Sequence, residues 1–159
     1  MSKVYELKQD TENYANFIEQ RDNFEDAFHY KYWGLKNIDL KEFNPIKLKL
    51  YASDTGKKNY QTDISYISSG LFVFSENALK VFKDIFEETG QVLPVKTESK
   101  RKKFFGFYFN KKPYGGSIIN FEKSNWRQAE KGKIMHKVVL NNNYPKDDYL
   151  FVLSDEPMA

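Results

Sequence analysis

The stretch from Ser75 to Thr89 constrains the fold more than any other part of this chain. Ala78, Leu79, Phe82, Ile85 and Phe86 recur at the spacing that places them on one face of a helix, while Asn77, Lys80, Lys83, Asp84, Glu87 and Glu88 take the other. Ser75 is suited to the N-cap, because its hydroxyl can accept a bond from an otherwise orphan backbone N–H. Glu76 complements the positive end of the helix dipole, and Gly90 supplies the stop. Leu71-Phe72-Val73-Phe74 runs into this helix without alternation, the mark of a short strand buried on both faces. A strand followed at once by a core-facing helix demands a sheet for both to pack against.

The remaining strands are read from period-two patterning. Ile46, Leu48, Leu50 and Ala52 point one way and Lys47, Lys49 and Tyr51 the other, with Pro45 at the strand start. Ser53-Asp54-Thr55-Gly56 makes a turn, followed by an extended segment from Thr62 to Ile67. Further extended segments are expected at Gln91–Val95, Lys103–Asn110, Ser117–Phe121, His136–Leu140 and Tyr149–Leu153, with a hairpin-like loop over Asn141–Asp148. The first 44 residues are less regular. Val4, Tyr5 and Leu7 suggest a short strand; Tyr14, Phe17 and Ile18 fit a strand or a helical turn. Phe24, Ala27 and Phe28 carry helical spacing, after which Tyr30, Tyr32 and Trp33 favour extended backbone.

Many strands, few helices and no βαβ alternation predict an α+β fold: a mostly antiparallel sheet with one well-defined amphipathic helix (about 75–89) and a short N-terminal helix. With no linker, repeat or low-complexity stretch, residues 1–159 are expected to form a single domain.

Composition removes several functions. No cysteine is present, which excludes disulfide scaffolds, thiolate metal sites and cysteine nucleophiles. The opening segment Met1–Asp10 is polar, without the apolar core of a secretory signal, and no apolar run is long enough to span a bilayer. A cytoplasmic protein without a membrane partner is expected. The two histidines, His29 and His136, have neither the spacing of metal ligands nor a serine nucleophile in a suitable context. Gly115-Gly116 lacks the lysine and hydroxyl of a phosphate-binding loop. No enzyme, no metal and no cofactor is expected.

The net charge of +3 is too small to imply nucleic acid by itself. Its distribution is uneven. Lys96, Lys100, Arg101, Lys102, Lys103, Lys111 and Lys112 surround the aromatic strand, and acids gather at Asp22, Glu25 and Asp26, at Glu87 and Glu88, and at Asp147, Asp148, Asp155 and Glu156. Basic groups beside the rings of Phe104–Phe109 are what single-stranded nucleic acid binding uses, so RNA or single-stranded DNA binding through residues 100–109 is one reading. The favoured reading is a solvated basic turn leading into a core strand, because consecutive rings cannot all share one face.

The segments Asp63-Ile64, Phe72-Val73-Phe74-Ser75-Glu76-Asn77-Ala78-Leu79, Gly90 and Leu93-Pro94-Val95 resemble a bacterial family first catalogued as a domain of unknown function. That family was later assigned to the immunity proteins of polymorphic-toxin and contact-dependent-inhibition systems. The aromatic strand ending in Asn110, and the later Glu122-Lys123-Ser124, extend the likeness over roughly residues 60–125. Lys111-Lys112-Pro113 stand where the family usually has an acidic motif. The resemblance implies a protein that binds and neutralises a cognate bacterial toxin domain through a protein–protein interface. Immunity proteins against nucleases are often acidic, so the contact candidates it suggests are Asp22, Glu25, Asp26, Asp147 and Asp148, together with Trp126.

Overall fold

A computed structural model describes residues 7–68, 70–111, 118–129 and 132–143. The chain divides into two compact units, residues 3–110 and 111–159.

The first unit contains β1 (Asn16–Glu19), a 3-10 turn at Phe24–Asp26, α1 (Phe28–Tyr32), β2 (Ile46–Tyr51), β3 (Ile64–Ser68) and β4 (Leu71–Ser75). It continues through α2 (Glu76–Val81), α3 (Lys83–Thr89), β5 (Gly90–Lys96) and β6 (Phe104–Phe109). Six strands form one sheet in the order β1-β2-β5-β6-β4-β3. Every neighbouring pair is antiparallel except β2 and β5, which meet in parallel at Ile46–Val95 and Lys47–Lys96. The fold is therefore α+β, with a mostly antiparallel sheet and few helices. The sheet curls until its two edge strands approach one another: the Phe17 N–H on β1 donates to Ser65 Oγ on β3 at 3.3 Å.

Strand alternation sorts the side chains. Phe17, Leu48, Leu71, Val73, Leu93, Phe104 and Tyr108 face the concave side and form one apolar cluster with Phe28, Ile38 and Phe43 from the α1 region. On the convex side Phe86 stacks on Phe107 with ring centroids 4.2 Å apart and lies 4.6 Å from Phe74. Strand β6 is thus covered on both faces, which is why an unbroken aromatic run is stable there.

The expected helix from 75 to 89 is two helices. Phe82 adopts φ −100° and ψ 11°, outside the α region, and separates α2 from α3. The bend keeps Phe86 over Phe107 while Val81 turns outward and is 77% exposed. Ala78 and Phe86 are buried and Leu79, Phe82 and Ile85 half-buried. Gly90 ends the helix in extended rather than left-handed backbone, at φ −173°. Glycine is required there for a different reason: a Cβ would collide with the Tyr108 carbonyl and the Phe107 ring of the adjoining strand.

At the N-terminus one open alternative is resolved and one expectation changes. Phe17 and Ile18 belong to a strand, and Tyr30 and Tyr32 are helical rather than extended. The Glu19 carboxylate accepts the Phe28 N–H at 2.9 Å, supplying the first turn of α1 with an acceptor from β1. Residues 1–6, with Val4 and Tyr5, lie outside the described residues.

In the second unit β7 (Asn125–Ala129) pairs antiparallel with β8 (Gly132–Lys137). Of the strand expected at Ser117–Phe121, Ser117 lies outside the described residues and the rest forms one bridge, between Ile119 and Leu140. The one expected at His136–Leu140 overlaps only the end of β8, and β7 carries no alternating pattern that announces it. Tyr149–Leu153 lies outside the described residues. No helix among the described residues is long and apolar enough to cross a membrane.

Candidate functional site

The surface with the most unusual composition is the segment from Arg21 to Leu35. Its buried half is an anchor. Ala27 and Phe28 are almost inaccessible, and the Phe28 ring packs edge-on against Tyr108 with centroids 5.3 Å apart. From below, the Tyr108 hydroxyl donates to the carbonyls of Tyr32 (2.9 Å) and Leu35 (3.1 Å). Asn110 Nδ2 donates to the Lys36 carbonyl at 2.7 Å. Gln91 bonds Ile38 twice, accepting its N–H at 2.9 Å and donating to its carbonyl at 2.8 Å. Burial pushes the Tyr108 phenol above its ordinary range, so it stays a neutral donor.

The other half faces solvent. Phe24, Tyr30, Trp33 and Leu35 are 61%, 56%, 50% and 46% exposed. The rings brace each other: Phe24 lies 4.8 Å from Tyr30, His29 4.1 Å from Tyr30, and the Arg21 guanidinium 5.0 Å above Phe24. Trp33 leans over Gly70, where a Cβ would come within 2.9 Å of its ring. Rigid aromatic groups held on a backbone tied down from below lose little entropy on binding, the preorganisation that strong interfaces use. The helical spacing of Phe24 and Phe28 suggests a shared core face, yet only Phe28 is buried. The signal for exposure was the polar frame of Phe24, with Asp22 and Asn23 before it and Glu25 and Asp26 after it.

Of the six residues singled out by sequence, three lie together here. Asp22, Glu25 and Asp26 are exposed around Phe24. Asp26 is committed locally: Lys31 Nζ reaches it at 2.6 Å and Asn23 Nδ2 at 3.3 Å, and the lysine's hydrogen bond holds its carboxyl below the usual range. Asp22 and Glu25 enter no ion pair among the described residues. Trp126 falls on β7, its backbone opposite Met135 in the second unit. Asp147 and Asp148 lie outside the described residues.

The basic and aromatic segment 100–109 separates into parts. Phe104, Phe107, Tyr108 and Phe109 are buried and present no ring to a base. Lys102 is spent on structure: its Nζ lies 2.9 Å from Asp63 Oδ1 and donates to the carbonyls of Gln61 and Thr62. Lys100, Arg101 and Lys103 remain exposed.

Little else invites chemistry. Among the described residues no group of three His, Asp or Glu is placed to hold a metal. A groove of about 480 Å³ runs beside α2, α3 and β5, lined by Leu40, Leu79, Phe86 and Val92. Its charged rim is paired along the helices, Lys80 with Glu76 and Lys83 with Glu87. No family model, curated protein or solved structure matches the chain.

Proposed function

We propose that this protein is an immunity protein, which binds a cognate bacterial toxin domain in the cytoplasm of the producing cell or its siblings and neutralises it. The observation that carries this reading is the Phe24 ring, 61% exposed between Asp22 and Glu25 on a segment fastened to the core. The likeness of the strand–helix unit to the immunity family supplies the biological setting. Such a protein needs no reacting group, only a rigid surface with aromatic anchors and charges that steer the partner. Phe24, Tyr30 and Trp33 would bury the apolar area, and Asp22 and Glu25 would face basic groups of the toxin.

Co-expression with the toxin-like product of the neighbouring reading frame tests this. Restored growth and a co-purifying complex are expected, both weakened by Phe24→Ala. Unrescued growth together with no complex would end the proposal.

A further inference from the structure

The convex face of the sheet carries a second surface, unrelated to the ring cluster above. On β2, Lys47, Lys49 and Tyr51 alternate with the buried Ile46 and Leu48 and the half-buried Leu50, so all three project outward. Lys96 stands directly beside Lys47 across the parallel β2–β5 contact. The antiparallel register of β5 with β6 pairs Pro94 with Phe105, so its continuation by two residues places Lys103 beside Lys96 on the same face. Lys47 on β2, Lys96 at the end of β5 and Lys103 just before β6 therefore form a row, with Lys49 and the exposed Tyr51 continuing along β2. Strand spacings make this a patch of about 10 Å by 13 Å.

All four lysines are exposed, and among the described residues none lies within ion-pair distance of a carboxylate. Glu76, which donates its N–H to the Lys103 carbonyl, directs its carboxylate to Lys80 at 3.7 Å. Like charges directly opposite on neighbouring strands destabilise a sheet. An anion laid across the row relieves that repulsion. Lysine is depleted from protein–protein interfaces, where arginine and aromatic residues dominate, but serves well as a point charge for phosphate. Tyr51 supplies what a merely electrostatic patch lacks: it is 62% exposed on the face that bears the lysines.

We propose that this face binds single-stranded nucleic acid, with Lys47, Lys49, Lys96 and Lys103 on the phosphates and Tyr51 stacking on a base. The site differs from the aromatic run of β6, whose rings are buried, and is independent of toxin binding through Phe24.

Fluorescence anisotropy with labelled oligo-dT and oligo-U of about 15 nucleotides tests it on the full chain. Binding should weaken steeply with salt. Lys47→Gln, Lys96→Gln and Lys103→Gln combined should lower the magnitude of the log–log salt slope by about 2 and affinity at least tenfold. Tyr51→Ala should cost about fivefold or more with little change in slope. Thermal melts verify folding, and the exposed glutamines leave the core untouched. Absent binding at low salt, an unchanged triple variant or an unchanged Tyr51→Ala variant would each overturn the proposal. So would an oligo-glutamate peptide of equal charge binding as tightly, which would mark the face as a dock for acidic protein.

Discussion

The Ser75 hydroxyl sits 2.5 Å from Asp63 Oδ1 and donates to it, while the same oxygen accepts the Ala78 N–H at 3.2 Å. Two segments of the family-like pattern, Asp63-Ile64 and Phe74-Ser75-Glu76, are thereby one hydrogen-bonded unit. Lys102 completes it from the β5–β6 turn, 2.9 Å from the same carboxylate oxygen. The backbone follows suit, with the Ser75 N–H on the Asp63 carbonyl and the Glu76 N–H on the Lys103 carbonyl. The pattern thus marks how a helix is launched from a sheet, and says nothing of where a partner binds.

Replacing Ser75 by Ala removes the cap and leaves the buried Ala78 N–H unsatisfied. The expected loss is about 1–2 kcal/mol of unfolding free energy. Urea unfolding followed by far-UV circular dichroism measures it, with a lowered midpoint and an unchanged slope. Thr at the same position should recover most of the loss.

Asp63 gives the fold an acid sensitivity of defined sign. The Ser75 hydroxyl first, and Lys102 second, hold its carboxyl below the ordinary value of 3.8. A group whose folded pKa is depressed contributes stability that is complete above its ordinary pKa and disappears as pH falls through the folded one. Asp63→Asn should therefore melt at a lower temperature than the parent at pH 7. The two melting curves should converge as pH is taken well below 3.8 and through the depressed value. A difference that persists undiminished in acid would show that the charge is not the source.

Glycines separate two kinds of constraint. Gly34 has φ 81° and open space around its missing Cβ, so Ala there costs about 1–2 kcal/mol through backbone strain, and Asn should be better tolerated. Gly90 is extended, yet a Cβ would strike the Tyr108 carbonyl and the Phe107 ring. Ala and Asn should both destabilise it, Ala by about 1–3 kcal/mol as the β5–β6 pair is forced apart. Chemical denaturation of the four variants distinguishes the patterns.

Local chemistry made part of this fold legible and hid the rest. Ser75, the alternation from Ile46 to Tyr51 and the apolar run before the helix each stated their structure, because cap and burial are decided by residues close in sequence. The bend at Phe82 was not readable, since helical periodicity continues through it and only the fit of Phe86 to Phe107 shows where the backbone turns. The role of Gly90 was hidden for the same reason: its neighbours come from β6. Lys102 looked like one more base in a run of four, and its capture by Asp63 is a contact 39 residues away in sequence. The lysine row was invisible because Lys47 and Lys96 meet only through the sheet's parallel pairing.

Phe24 and Phe28 provide the sharpest comparison between a ring that holds the fold and one left at the surface. They are four residues apart, but Phe28 is 2% exposed and Phe24 61%. Phe28→Ala should cost about 3–5 kcal/mol, because the cavity opens against Tyr32, Phe43 and Tyr108. Phe24→Ala removes only contacts with Tyr30, His29 and Arg21 at the surface, so its stability should change by less than about 0.5 kcal/mol. If the ring is an anchor for the toxin, the same substitution should weaken the complex by about 2 kcal/mol or more, roughly thirtyfold in Kd. Asp22→Asn and Glu25→Gln should act chiefly on the association rate and lose their effect at high salt, as charges at a rim do. Calorimetry for Kd and stopped-flow for the rate, each beside an unfolding curve, give the needed pairs of numbers. A Phe24→Ala protein that folds normally and binds the toxin as tightly as the parent would place the interface elsewhere.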